Sequence, residues 1–272
     1  MKLSVWPLHR FAWLAWAIIC CGCQGDTTPR DTTPRPAAPH ADEAPVNSVA
    51  VDADPPDSDQ PQIEASADAA EVNAAIEKCR TDKATSLLIR SRVDAAALQE
   101  IASLDWLRVL ELYDVSASPT QLAAATRQMS GLERLRVVGT PLGDAQIFAV
   151  CQQHPDLQVL NLPNATFTDA ALDALAELPA LTLLRFGSPN VTDKGFARLS
   201  GQSGLRFLHL INVPISDEGL RHLHDMTQLE SLYIDGGNAT DQGILALLKA
   251  NPGIHFHRDQ LHVENDPNAD DH

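Results

Sequence analysis

Few side chains in this chain of 272 residues could do chemistry, and their spacing limits what each can do. Five histidines gather toward one end: His222, His224, His255, His257 and His262. Zinc needs three or four nitrogen, sulfur or carboxylate ligands converging at about 2 Å. On a helix His222 and His224 would stand about 200° apart, which is poor for chelation. His255 and His257 would share one strand face, with Asp259 and His262 close behind, so a weak site at the C-terminal end is the most these residues offer. A polar end-cap is the favoured reading, and neither a metal nor a cofactor is expected. The cysteines are no richer. Cys20, Cys21 and Cys23 crowd the N-terminus, and Cys79 and Cys151 fall on separate segments too far apart to expect a disulfide. Beyond residue 23 there is no G-x-S-x-G, no H-E-x-x-H, no phosphate loop and no C-x-x-C, so no enzyme is expected.

The acids that recur most regularly have a structural reading. Thr168-Asp169, Thr192-Asp193, Ser216-Asp217 and Thr240-Asp241 each precede apolar residues at helical spacing. Those residues are Leu172, Leu175 and Leu178, then Phe196 and Leu199, then Leu220, Leu223 and Met226, then Ile244, Leu247 and Leu248. A hydroxyl in that place accepts from first-turn N–H groups that lack partners, and the adjacent acid suits the positive end of the helix dipole. These carboxylates therefore read as helix caps and not as catalytic groups.

The elements that must carry them form a repeat. LRVLEL from Leu107, LERLRV from Leu132, LQVLNL from Leu157, LTLLRF from Leu181, LRFLHL from Leu205 and LESLYI from Leu229 align, with starts 25, 25, 24, 24 and 24 residues apart. Within one unit Leu157, Leu160 and Leu162 point inward from a strand, because strand side chains alternate. The period then changes to that of a helix. Ala84, Leu87 and Ile89 with Leu98, Ile101 and Leu104 make an earlier turn. Ile254-His255-Phe256-His257 begins a degenerate last one, with His257 where the second Leu belongs. A lone unit cannot bury its apolar face, so the array must fold as one stacked body.

The repeat resembles the leucine-rich-repeat family, close to the pattern L-x-x-L-x-L-x-x-x-x-[IV]-[TS]-D-x-G-[LF]-x-x-L. Leu205 to Leu223 (LRFLHLINVPISDEGLRHL) fits every position, and Leu181 to Leu199 fits with Phe186 and Phe196 as replacements. The resemblance covers residues 84–258. It implies an α/β solenoid of about seven turns, with parallel strands on a concave side and helices on the convex side. It also implies binding, since family members hold proteins, peptides, glycans or lipids.

Ligand-reading residues are then expected on the outward strand positions. The middle outward position gives Glu111, Arg136, Asn161, Arg185, His209, Tyr233 and Arg258; the one before it gives Val109, Arg134, Val159, Leu183, Phe207, Ser231 and Phe256. An exposed apolar line of Val159, Leu183 and Phe207, rimmed by Arg136, Asn161, Arg185, His209, Tyr233 and Arg258, reads as an interface, since Arg, Tyr and Phe are favoured there.

The two ends address the chain. Lys2 and Arg10 precede an apolar run, Phe11 to Ile19, too short to span a bilayer and suited to a signal peptide. The run ends in Cys20-Cys21-Gly22-Cys23, which resembles a bacterial lipoprotein signal. Cys23, after the small Gly22, is the favoured lipidation site over Cys20 and Cys21; a retained anchor or ordinary cleavage is the alternative. The expected organisation is a signal at 1–22, a proline- and acid-rich disordered tether at 23–70, a repeat domain with an N-terminal capping helix at 71–258, and an acidic disordered tail at 259–272. Residues 24–70 hold ten acids against Arg30 and Arg35, whereas residues 84–258 hold 18 acids against 13 Lys and Arg. That distribution argues against a nucleic-acid partner, which wants concentrated Lys and Arg. The expected role is a non-enzymatic module in the cell envelope, held by a lipid anchor and binding a protein or peptide. The alternative is a structural envelope lipoprotein whose concave face has no specific ligand.

Overall fold

Each repeat folds as one strand and one helix because its apolar period changes from two to three or four partway through. The computed structural model describes Ile63–Ala65 and residues 69–259. In chain order these are β1 (Ile63–Ala65), α1 (Ala69–Asp82), β2 (Ser86–Val93), α2 (Ala95–Ala102), β3 (Val109–Val115), α3 (Pro119–Thr126) and β4 (Arg134–Val137). Then come α4 (Asp144–Gln153), β5 (Val159–Leu162), α5 (Asp169–Ala176), β6 (Leu183–Phe186) and α6 (Asp193–Leu199). The last are β7 (Phe207–Ile211), α7 (Asp217–Arg221), β8 (Ser231–Asp235), α8 (Asp241–Ala250) and β9 (His255–Arg258). The strands form one sheet in sequence order, and every pairing is parallel. This is the expected α/β solenoid.

The core lies between the sheet and the helices. In the fifth rung Leu160 and Leu162 enter it from β5, Leu172 and Leu175 from α5, and Phe167 from the bend, all within 1 % of full burial. Phe167 meets Phe186 of the next rung with ring centroids 5.0 Å apart. The expected helix before the first repeat is α1, with Val72, Ala75, Ile76 and Cys79 buried along one stripe. It is preceded by a strand, β1, which pairs with β2 inside the stretch expected to be tether. α1 is thus a crossover helix like the others, and the array starts one rung earlier than the sequence indicated. The expected signal at 1–22, most of the tether, and residues 260–272 of the tail lie outside the described residues.

The recurrent acids do more than cap their own helices. Asp144 Oδ1 accepts from the Thr168 N–H at 2.7 Å, and its Oδ2 accepts from the Thr168 hydroxyl at 2.8 Å. Asp169 takes the N–H and hydroxyl of Thr192, both at 2.7 Å. Asp193 takes those of Ser216 at 2.8 and 2.6 Å, and Asp217 those of Thr240 at 2.7 and 2.8 Å. Each carboxylate therefore ties the start of its helix to the cap residue of the next. Asp241 has no later cap residue among the described residues and receives the Arg258 guanidinium. Three of the four expected hydroxyl caps are made, by Thr168, Ser216 and Thr240, while Thr192 makes none.

This carboxylate row explains the glycine two residues after the acid. A Cβ on Gly195, Gly219 or Gly243 would sit 2.5, 2.4 or 2.1 Å from Oδ1 of Asp169, Asp193 or Asp217. Glycine there is needed for close approach, not for an unusual φ. Ala171 occupies the same place over Asp144, so one methyl is tolerated at the first step of the row.

At the C-terminal end the register differs by one from that expected. Ser231 pairs with His255, Leu232 with Phe256, Tyr233 with His257 and Ile234 with Arg258. Phe256 is fully buried and Arg258 leaves the outward column, its Nη2 donating to the Ala239 carbonyl at 2.8 Å. Ile254, the apolar residue that starts the last unit by sequence, lies one past the true first position, because the spacing of 24 is kept from Leu229 to Gly253.

The Asp217 carboxyl is held below the usual aspartate range, first by the Thr240 N–H and then by the Thr240 hydroxyl. A folded value lower than the unfolded one of about 3.9 stabilises the protein above that pH, and the contribution is lost as pH falls through the folded value. Asp217→Asn keeps an acceptor oxygen but loses the charge, and should therefore lower the melting temperature at pH 7. The gap from wild type should close below about pH 4. A gap that persists unchanged into acid would show that the carboxylate charge plays no part.

Candidate functional site

Alternation along the strands gives the sheet a second face, pointing away from the helices. One outward column runs Glu111, Arg136, Asn161, Arg185, His209, Tyr233 and His257 on successive strands. Five of the seven expected binding residues, Arg136, Asn161, Arg185, His209 and Tyr233, are consecutive in it. Phe207 is in the neighbouring column with Arg134, Val159, Leu183, Ser231 and His255. Arg258 is not on this face, and His257 takes the place expected for it.

The apolar line is largely covered. Val159 is 9 % exposed and Leu183 5 %, leaving Phe207 as the half-buried member. Rungs about 4.8 Å apart leave little open surface to a short side chain beside a long one, and Val159 and Asn161 pair with Arg134 and Arg136. Asn161 is 1 % exposed, and its Oδ1 and Nδ2 have no hydrogen-bond partner among the described residues. An unpartnered buried amide costs about 1–3 kcal/mol.

Toward the N-terminal rungs the face is basic. The Arg90 and Arg136 guanidinium carbons lie 4.8 and 4.5 Å from the centre of the Tyr113 ring. Tyr113 donates its hydroxyl to Glu111 Oε2 at 3.3 Å, and Arg134 lies 3.8 Å from Glu111 Oε1. Burial is the first cause pushing the Tyr113 phenol above its ordinary range; Glu111 adds to it and the arginines oppose it. The sequence reading missed Arg90 and Tyr113 because both lie beyond the L-x-x-L-x-L core. β2 and β3 run longer than later strands and have an irregular register between Ile89 and Arg92. The alternation of SLLIRSRV was the available signal.

Toward the C-terminal rungs the face is aromatic and imidazole-rich. His209 Nε2 meets Asp235 Oδ2 at 2.7 Å. Its ring lies 5.3 Å from Tyr233, which stacks on His257 at 4.7 Å and 14°. Arg90, Arg134, Arg136 and Arg185 outnumber Glu111 and Asp235 on this face, so a chain of net charge −16 keeps its concave side basic.

Cys79, Cys151 and His154 lie away from this face. Cys79 and Cys151 are unpaired thiols; Cys79 donates to the Ala84 carbonyl at 3.3 Å. Burial pushes the Cys151 thiol up to about 12, so it is inert at neutral pH. His154 is buried on the helical side, where desolvation lowers its pKa and the Met129 backbone opposes the shift. Among the described residues no group of three or more His, Cys, Asp or Glu could hold a metal ion, and no helix is long and apolar enough to cross a membrane.

No protein-family model matches the chain, and no curated protein does. Among solved structures, an internalin (InlF) from Listeria monocytogenes aligns over 74 % of this chain at 18 % identity and a TM-score of 0.51. The chain spans 59 % of that internalin's length. The plant peptide hormone receptor RGFR1, solved in complex with RGF2, aligns over 64 % of this chain and 28 % of its own at 19 % identity and a TM-score of 0.37. A leucine-rich-repeat protein of Leptospira interrogans, LIC12759, aligns over 64 % of this chain and 47 % of its own at 16 % identity and a TM-score of 0.42. At these identities the likeness to the internalin is one of fold, and the fold is the leucine-rich-repeat solenoid.

Leu208 and Tyr233 face opposite ways from adjacent strands, and their substitutions should separate. Leu208 is 1 % exposed in the core, so Leu208→Ala should cost about 2–5 kcal/mol of unfolding free energy. Tyr233→Ala should cost well under half of that in chemical denaturation. Equal losses would mean that the outward column contributes to the core.

Proposed function

We propose that this leucine-rich-repeat solenoid is a non-enzymatic binding module that recruits a protein or peptide through its concave face. The observation that carries the reading is the row Arg136, Asn161 and Arg185 on three adjacent strands, with a buried amide between two guanidinium-bearing rungs. Guanidinium forks suit carboxylates, and a polar group inserted there would give the Asn161 amide the partner it lacks. His209 and Tyr233 continue the row, with Phe207 in the column beside it, and supply the aromatic surface that interface anchors favour. The favoured partner is an acidic segment of a protein.

The N-terminal sequence supports an address as well. Lipidation of Cys23, followed by a proline- and acid-rich tether, would hold the solenoid outside the cytoplasm in the cell envelope.

Two experiments test these readings. A photo-crosslinking amino acid at Phe207 should trap one defined protein in intact cells, while the same group at Phe148, the exposed large apolar residue of α4, should not. Equal trapping at both positions, or none at Phe207, would favour an envelope protein with no concave ligand. For the anchor, Cys23→Ser should move the protein from the membrane to the soluble fraction and abolish acyl labelling. Unchanged membrane retention would assign the anchor elsewhere.

A further inference from the structure

We propose that His255 and His257 form a two-imidazole chelate for a tetragonal transition-metal cation of the copper(II) class. β9 places them two residues apart on the outward face, where His255 pairs with Ser231 and His257 with Tyr233. Their rings lie 4.6 Å apart, and the two Nε2 atoms approach to 2.7 Å. Nitrogens that close share a proton, one ring donating and the other accepting. Both rings therefore present the same atom to the space between them. A cation there takes one lone pair from each imidazole; the ring that donated gives up its Nε2 proton to solvent and takes one up at Nδ1, so both ligands are neutral imidazoles and no net proton is lost.

The separation selects the kind of metal. With metal–nitrogen bonds of about 2.0 Å, ligands at a right angle stand about 2.8 Å apart, and tetrahedral ligands about 3.3 Å. The pair must open by about 0.1 Å for the first arrangement and about 0.6 Å for the second. Right-angled nitrogen pairs belong to square-planar or tetragonal copper(II) and nickel(II), and copper(II) is the tightest of the first-row divalent ions. Zinc is disfavoured on both counts.

The surroundings hold the chelate in place without completing it. Tyr233 stacks on His257 at 4.7 Å and lies 6.1 Å from His255, which fixes the ring planes. His209 is engaged with Asp235, and Asp259 Oδ1 accepts from the Gly236 N–H at 2.8 Å. No third protein ligand joins the pair among the described residues. Sequence spacing indicated a shared strand face but not this convergence of two nitrogens.

The test titrates the full chain with copper(II) alone at neutral pH, followed by calorimetry and electron paramagnetic resonance. Wild type should saturate at one site whose spectrum carries hyperfine coupling from two imidazole nitrogens. His255→Ala and His257→Ala should each weaken uptake at least about tenfold, a loss already seen when only an outer-shell partner is removed, and should lose the second nitrogen. The double substitution of His222 and His224 by Ala should leave affinity and spectrum unchanged. The proposal fails if wild type shows no saturable uptake, or if His257→Ala keeps both the affinity and the two-nitrogen spectrum. If an alanine variant unfolds, the wild-type spectrum still decides, because fewer than two imidazole nitrogens overturns the chelate.

Discussion

Everything in this fold depends on matching two spacings within one rung. Parallel strands stack about 4.8 Å apart, whereas packed helices sit about 8–10 Å apart. A chain that alternates the two must curve, with strands inside. The carboxylate row from Asp144 to Asp241 acts where the mismatch is hardest to close, at the helix starts. Asp144, Asp169, Asp193 and Asp217 each take two hydrogen bonds from the next rung, and glycine at Gly195, Gly219 and Gly243 lets the neighbouring carboxylate lie against the helix backbone. Helices as short as α7, five residues long, could not hold their place by propensity alone.

Because the rungs are fixed from the core and the helix side, the other face of the sheet is released from that task. Leu160, Leu184, Leu208 and Leu232 fill the interior, while Asn161, Arg185, His209 and Tyr233, one residue later on each strand, face outward. The outward column can then vary from basic through amide to aromatic without altering the fold. That freedom is why the solenoid is plain in the sequence and its ligand is not. The likeness to the internalin reaches the fold and stops there.

The inward positions were legible because two periods alternate in register over six units, and burial follows them from Leu107 to Leu232. The acids were read as caps, which describes half of their role. Their bonds to the next rung depend on a contact between residues 23 or 24 apart, and the unexplained glycine two residues after each acid was the sign of it. Arg258 was misplaced because Ile254 is apolar and buried although it lies one residue past the repeat's first position. Val159 and Leu183 were expected to be exposed, since alternation gives direction but not the reach of the arginines on neighbouring rungs. β1 escaped notice because three residues carry no periodicity.

Amide hydrogen exchange of the folded chain tests the carboxylate row most directly. Thr168, Thr192 and Thr240 lie in exposed bends, where backbone N–H groups normally exchange fast, yet each donates to an Asp of the preceding rung. Their amides should be protected to the same degree as those of the adjoining strands and should open with them as one unit. Exchange at the rate of an unprotected loop, beside slow strands, would mean that the rungs are held by the apolar core alone and that the row is incidental.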